Sequence, residues 1–254
     1  MKIAVINGTE KHGVTYRLKE LFLEELRDAA EITEFYLPKD CPSFCTGCTN
    51  CISKSESLCR DAAFVQKIDR AMRDADLLVF TSPTYVFHVT GAMKSLLDHF
   101  AYHWMPHRPA GELFGKRALI ITQTLGAGEA SAAKDIRDSL SWWGVPYIRT
   151  VALKLLGHVV WDKLPEKRRR ALTAGVQKAA RHFRAIDYTK PARTTLAVKA
   201  KFYAVRMLQA RLGKANPEYT DYVYWKTNGW LDRARPWKRG CKIRNVPETA
   251  ADRK

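Results

Sequence analysis

Apolar residues run along this chain in two rhythms. Near-continuous apolar runs at Lys2–Asn7, Leu77–Thr81 and Arg117–Thr122, the alternating segment Glu31–Leu37, and Tyr147–Leu153 predict five β-strands. Between them, apolar positions recur every three or four residues: Leu18, Leu21, Phe22 and Leu26 in a first helix, then about 61–74, a third helix from about Thr90 (Met93, Leu96, Leu97, Phe100), about 129–143, and Pro165 to Ile186. Strands alternating with helices predict an α/β fold with a doubly wound, five-stranded parallel sheet. The stretch Leu77–Lys94 organises the rest: Pro83 stops a fully buried strand, and helical spacing resumes after Gly91. In such sheets ligands bind in the crevice beyond the carboxyl ends of the strands, and this loop offers Thr and Ser hydroxyls, with Tyr85 and Phe87 to stack on a flat group. The plainer reading makes Tyr85 and Phe87 ordinary core aromatics.

The alternation stops near residue 190. Thr195–Leu212 has helical spacing (Leu196, Phe202, Val205, Met207, Leu208), followed by Tyr219, Tyr222, Tyr224, Trp225, Trp230 and Trp237. The expected organisation is a domain over 1–189, with a cysteine-rich insertion at 38–60, and an extension over 190–254. Charge sharpens the division: residues 1–162 carry 19 Lys+Arg against 19 Asp+Glu, whereas residues 163–254 carry 24 against 7. A neutral body with a basic end implies an anionic partner for that end, or a solvated basic face. The large aromatics must pack on this domain, on a second subunit or on a ligand. We expect a partner subunit to cover them, giving a homo-oligomer. No run approaches the ~18 apolar residues of a membrane span, and Met1–Val5 enters a strand at once, so the expected location is cytoplasmic, with no transmembrane segment.

Three constellations carry candidate chemistry. In the first loop, Gly8 and Gly13 allow close backbone approach, while Thr9, Thr15 and the first amides of the following helix can donate to an anion. Neither G-x-G-x-x-G nor G-x-x-x-x-G-K-[ST] is present. The second is Cys45-x2-Cys48-x2-Cys51-x7-Cys59, with Cys41 upstream. Without a secretory signal this density argues for metal over disulfides. The spacing favours a [4Fe–4S] cluster over zinc, because Cys48 would belong to both C-x2-C pairs. Reduced cysteines without a ligand, and the C-x3-C-x2-C of radical SAM enzymes formed by Cys41, Cys45 and Cys48, are the alternatives. The third is His99-x3-His103-x3-His107, one helical face until Pro106 ends the helix. Without a suitably spaced carboxylate, these histidines are expected to be solvated or to face a partner.

Asn7-Gly8-Thr9-Glu10-Lys11-His12-Gly13-Val14-Thr15 resembles the FMN phosphate loop N-G-S-P-R-K-G-x-T of the flavodoxin-like NAD(P)H-dependent FMN oxidoreductases, with Glu10 and Lys11 in place of proline and arginine. Ser82-Pro83-Thr84-Tyr85 through Thr90-Gly91-Ala92-Met93-Lys94 resembles that family's isoalloxazine loop, and Thr122–Gly128 its third flavin-contacting loop. The four cysteines resemble the compact motif of its iron–sulfur flavoprotein branch. The likeness covers roughly 1–185. It implies sheet order 2-1-3-4-5 and FMN held by Thr9, Lys11, His12, Gly13 and Thr15 at the phosphate. It places Pro83, Thr84, Tyr85, Val86 and Phe87 at the ring, and Thr124, Gly126 and Gly128 in the glycine loop. It also implies a [4Fe–4S] cluster on Cys45, Cys48, Cys51 and Cys59, and NAD(P)H as co-substrate. Hydride transfer to a flavin requires no protein acid or base, and none is nominated. Two other functions remain open: an electron carrier served by an acidic ferredoxin without NAD(P)H, and a nucleic-acid-binding module stacking bases on the basic aromatic tail, which matches no known nucleic-acid motif.

Overall fold

A computed structural model describes residues 1–157 and 160–238, so the last sixteen residues of the expected extension, 239–254, lie outside the described residues. Strands β1 (Lys2–Asn7), β2 (Glu31–Tyr36), β3 (Leu77–Pro83), β4 (Arg117–Thr124) and β5 (Tyr147–Lys154) form one parallel sheet. Their order is β2-β1-β3-β4-β5, as the resemblance implies. β1 pairs with both β2 and β3, with Asn7 opposite Tyr36 on one side and Thr81 on the other. Every residue of β3 is buried, which is why its sequence is an apolar run and not an alternation.

Helices cover both faces. Ala4, Ile6, Leu78, Phe80 and Ile120 pack under α3 (Ala62–Asp74), α4 (Gly91–His99) and α5 (Glu129–Trp142). Ile3, Val5, Leu77, Val79 and Ile121 pack under α1 (Val14–Glu24) and α6 (Glu166–Arg184). Successive residues of a strand thus feed opposite cores, as the pleat requires. A short helix α2 (Asn50–Ser53) lies inside the cysteine-rich insertion.

The described part of the extension forms α7 (Leu196–Ala215) and a second helix, α8 (Thr220–Thr227), which at eight residues is too short to show a period. Its aromatics do not wait for a partner subunit. Phe202, Tyr224, Trp225 and Trp230 form a third apolar cluster with Met105 and Phe114 of the segment between α4 and β4. The Trp225 indole donates to His107 O at 2.8 Å, the Tyr224 hydroxyl to Pro109 O at 2.8 Å, and the Gln209 amide to Pro106 O at 2.6 Å. Burying an indole of ~150–250 Å² is a gross gain of about 4–6 kcal/mol, enough to hold a helical extension on its own domain. Among the described residues no helix is long and apolar enough to cross a membrane.

Candidate functional site

Three loops meet beyond the carboxyl ends of β1, β3 and β4. The Gly8 amide donates to Thr81 O at 2.7 Å, and a Cβ there would lie 2.9 Å from that oxygen and 3.1 Å from Thr90 Oγ1, so the approach requires glycine. Thr90 fastens the first two loops together: its hydroxyl donates to Gly8 O at 2.6 Å and accepts from the Met93 amide at 3.2 Å, capping α4. At the end of the first loop, Gly13 opens α1 with no side-chain cap, leaving that helix's first amides and the positive end of its dipole for an anion. Thr15 is buried beneath this end, Lys11 and His12 are exposed beside it, and Thr9 Oγ1 accepts from the Lys11 amide at 3.1 Å. The His12 ring lies flat on Tyr16, centroids 3.9 Å apart. Glu10 accepts from the Lys39 amide at 3.1 Å, tying the loop to the start of the cysteine-rich insertion.

In the second loop Tyr85 and His88 exchange backbone hydrogen bonds of 2.8 and 3.0 Å, and the two residues between them take positive φ, 48° at Val86 and 69° at Phe87. This is a primed two-residue hairpin turn built without glycine. Left-handed backbone costs an ordinary residue about 1–2 kcal/mol, and a β-branched valine tolerates it poorly. Asp135 of α5 secures the turn, its Oδ2 3.1 Å from His88 Nδ1 and accepting from the Val89 amide at 3.2 Å. The outcome is a clamp held out into solvent: Tyr85 is 52%, Val86 90% and Phe87 59% exposed, so these are not core aromatics.

The third loop fits beneath the clamp. Gly128 has φ 98°, and a Cβ there would lie 2.8 Å from Phe87 Cα and 3.0 Å from Thr84 Cγ2. Thr124 shapes the loop, donating to Ala127 O at 2.6 Å and accepting from the Gly126 amide at 3.3 Å. Thr84 Oγ1 and Gln123 Oε1 are buried at this junction without a hydrogen-bond partner.

Sequence reasoning missed the charged support under the first loop. Asn7 donates to Phe35 O at 3.1 Å and Glu34 Oε2 at 3.2 Å, and accepts from Thr81 Oγ1 at 3.2 Å. Lys19 is fully buried against Glu34 at 2.6 Å and Glu20 at 2.5 Å. Burial pushes the Lys19 ammonium down, but the two carboxylates outweigh it and its pKa lies above the usual value. Burial pushes Glu34 up, and Lys19 outweighs that, so Glu34 lies below the usual range.

Cys45, Cys48, Cys51 and Cys59 line one pocket with Arg60, Asp61 and His99. Gly47 and Thr49, at φ 67° and 61°, turn the chain between the cysteines. Cys41 is not among them: it is buried in the core, where burial pushes its thiol up to about 11. Burial, then the neighbouring cysteines, push Cys51 up to about 11 as well, the expected state of crowded thiols without a cation. Buried Arg108 grips this loop, donating to Ile52 O at 2.8 Å and to Cys51 O, and to Asp221 Oδ1 of α8 at 2.9 Å. Thr220 adds a bond to Ser53 O at 2.9 Å, so the extension fastens the cysteine loop.

The three histidines do not share one helical face, because α4 ends at His99, and none stands free in solvent: two are buried and His107 is half-buried. His99 and His103 are 3% and 2% exposed. His99 Nε2 lies 3.1 Å from Ser43 O and its Nδ1 3.8 Å from Cys59 Sγ. His103 pairs with Asp69 at 2.6 Å, and His107 with Asp221 at 2.8 Å. The missing carboxylates come from α3 and α8, too distant in sequence for spacing to reveal.

Residues 1–155 match the family described as NADPH-dependent FMN reductase. An iron–sulfur flavoprotein of Archaeoglobus fulgidus is 25% identical over 232 residues, covering 90% of this chain and 99% of that protein. An iron–sulfur flavoprotein of Clostridioides difficile is 35% identical over 144 residues, covering 54% of this chain and 60% of that protein. An FMN-dependent NADH-azoreductase of Bacillus anthracis, solved in complex with FMN, superposes with a TM-score of 0.55 at 15% identity, over 72% of this chain and 99% of that one; this likeness speaks to the fold. The match over more than half of the chain places the protein in the NADPH-dependent FMN reductase family, as an NAD(P)H-dependent FMN oxidoreductase.

Proposed function

We propose that the three loops form a single FMN site and that the protein passes electrons from NAD(P)H through it to an acceptor. The observation that carries this is the strained, exposed Tyr85–Phe87 turn seated on Gly128, beside the uncapped start of α1. The α1 amides, Thr9, Lys11, His12, Gly13 and Thr15 hold the phosphate in this reading. Pro83, Thr84, Tyr85, Val86 and Phe87 flank the ring, and Thr124, Gly126 and Gly128 close its edge. The unpaired Thr84 Oγ1 and Gln123 Oε1 fit a polar-edged ring by offering hydrogen-bonding atoms that the protein itself leaves unused. Bound there, FMN supplies two-electron acceptance from a reduced nicotinamide and onward release. The protein's part is to orient the ring and neutralise the phosphate, and no side chain moves a proton. Residues 1–189 serve as the flavin domain in this reading, and the basic extension proposed over 190–254 braces the insertion at 38–60 through Thr220 and Asp221.

We further propose a [4Fe–4S] cluster on Cys45, Cys48, Cys51 and Cys59. The donor set fits: four cysteines share one pocket while Cys41 is sequestered, and the two relatives above carry iron–sulfur in their names. The same pocket supports the second reading, an electron carrier without direct use of NAD(P)H. Cysteines kept as thiolates for a metal fit a reducing compartment such as the cytoplasm.

The oligomer expectation rested on the tail's tryptophans and on flavin sites lying near dimer interfaces, as the resemblance implies; of the tryptophans, Trp225 and Trp230 are covered by this chain itself. One apolar surface open to a partner is α7, where Tyr203, Met207, Leu208 and Leu212 are exposed beside Arg211 and Lys214 on a helix with no acidic residue. Its charge fits an acidic redox protein such as a ferredoxin better than a second copy of the same basic helix. Nucleic-acid binding loses its stacking platform, because Trp225 and Trp230 are fully buried.

The test is an absorption spectrum of anaerobically purified protein, followed by addition of NADH or NADPH alone. A flavin spectrum that bleaches within the mixing time supports the oxidoreductase. A flavin that bleaches only with reduced ferredoxin selects the carrier, and protein that neither retains nor takes up FMN overturns the site.

A further inference from the structure

The cysteine pocket holds a second set of donors that the four-cysteine motif does not include. Cys59, Asp61 and His99 each present one ligand atom, all within 4.8 Å of one another. His99 Nε2 faces Ser43 O at 3.1 Å, so this nitrogen carries the proton and the Nδ1 lone pair points toward Cys59 Sγ, 3.8 Å away. A backbone carbonyl behind one imidazole nitrogen is the arrangement that fixes a metal-binding histidine. With zinc–sulfur and zinc–nitrogen bonds of about 2.3 and 2.0 Å, tetrahedral geometry sets sulfur and nitrogen about 3.5 Å apart, close to the distance found.

Asp61 is the third donor. It occupies the position before α3 where an aspartate normally caps the helix, yet its side chain makes no capping bond. The residue is 5% exposed, and its Oδ2 is buried with no hydrogen-bond partner. The nearest nitrogens, Arg60 Nε at 3.5 Å and His99 Nε2 at 3.7 Å, stand off from it, and the Arg60 side chain is 60% exposed. A buried carboxylate left this way calls for a cation.

We propose that Cys59, Asp61 and His99 form a mononuclear divalent-cation site of zinc-like chemistry at the closed end of the cysteine pocket. One thiolate, one imidazole and one carboxylate complete three positions of a tetrahedron and leave the fourth for water or an exogenous ligand. Cys59 cannot serve this ion and a four-cysteine cluster together, so the two are alternative loadings of one pocket. The inference stands on these three side chains and does not depend on whether the cluster forms.

The test uses full-length protein stripped of iron by a chelator under reducing conditions and titrated with cobalt(II), whose ligand-field bands lie beyond the flavin absorption. One equivalent should develop tetrahedral bands that persist in the Cys45→Ser, Cys48→Ser double variant. They should weaken at least tenfold at equal cobalt in His99→Gln and in the isosteric Asp61→Asn, with flavin content and melting curve verifying that each variant is folded. Bands that need Cys45 and Cys48 but survive both His99→Gln and Asp61→Asn describe a four-thiolate site and overturn the proposal. So does any other pattern, including no tetrahedral bands at all.

Discussion

Arg108 and Asp221, 113 residues apart in sequence, meet at 2.9 Å in a buried ion pair that joins the cysteine loop to α8. Asp221 is fully buried and also pairs with His107 and accepts from Tyr219. Removing one partner strands a buried charge, which typically costs about 3–5 kcal/mol. Asp221→Ala should therefore lower the melting temperature sharply and loosen the cysteine loop, read as faster proteolysis around Lys54. A melting curve within a degree or so of wild type would show that the pair does not hold the loop.

Flavin occupancy should depend on the loop glycines and on Thr15. Gly128→Ala places a methyl group against Phe87 Cα in a backbone conformation that alanine resists, and should weaken FMN binding roughly tenfold or more. Gly13→Asp sets a carboxylate at the uncapped start of α1, where it competes with a phosphate. Thr15→Ala should lower the occupancy less. Fluorescence quenching of FMN titrated with each variant measures this, and unchanged affinity in all three would move the flavin elsewhere.

Iron and acid-labile sulfide should each approach about four per chain in anaerobic preparations. Cys48→Ser should abolish both, while Cys41→Ser should leave them intact, because Cys41 belongs to the core and not to the pocket. Anaerobic protein that holds no iron or sulfide and takes up none on reconstitution with iron and sulfide would refute the cluster.

The Lys19–Glu34 pair sets two limbs of a stability–pH curve. Glu34 has a lowered pKa, so its stabilisation is present above the ordinary value of 4.5 and fades as pH falls through the lower folded value. Lys19 has a raised pKa, so its contribution is complete below the ordinary 10.5 and fades as pH rises through the higher folded value. Between these limits the pair is intact. Urea unfolding across pH should show a plateau bounded on both sides, and in Lys19→Met a reduced plateau whose acid limb loses the Glu34 component. An acid limb identical to wild type would show that Glu34 is stabilised by something else.

Salt should separate the two uses of the extension. Docking of an acidic ferredoxin on α7 should weaken steeply between low and physiological ionic strength and nearly vanish in Arg211→Glu, Lys214→Glu protein, while the melting temperature stays put. Truncation after Lys190 should instead uncover Met105 and Phe114 and yield aggregated or poorly folded protein. A folded truncated monomer that binds ferredoxin normally would contradict both.

The sheet and its crevice were legible in the sequence because each depends on local information. A parallel strand buried on both faces reads as an apolar run, and Leu77–Phe80 of β3 does; a helix shows its period within a few turns, as α1 and α6 do. The loops at the strand ends carry glycines, hydroxyls and cysteines whose spacing alone suggests an anion and a metal. Tertiary structure decided the rest. Whether Lys19 is solvated or sealed among Glu20, Glu34 and Tyr36 depends on how α1 lies on β2. The three histidines at i, i+4 and i+8 each found a different partner once α4 ended after the first of them. The tryptophans that suggested a second subunit closed over Met105 and Phe114 instead. In each case the deciding contact is a burial, and burial belongs to surfaces brought together by the whole chain, so no window of sequence contains it.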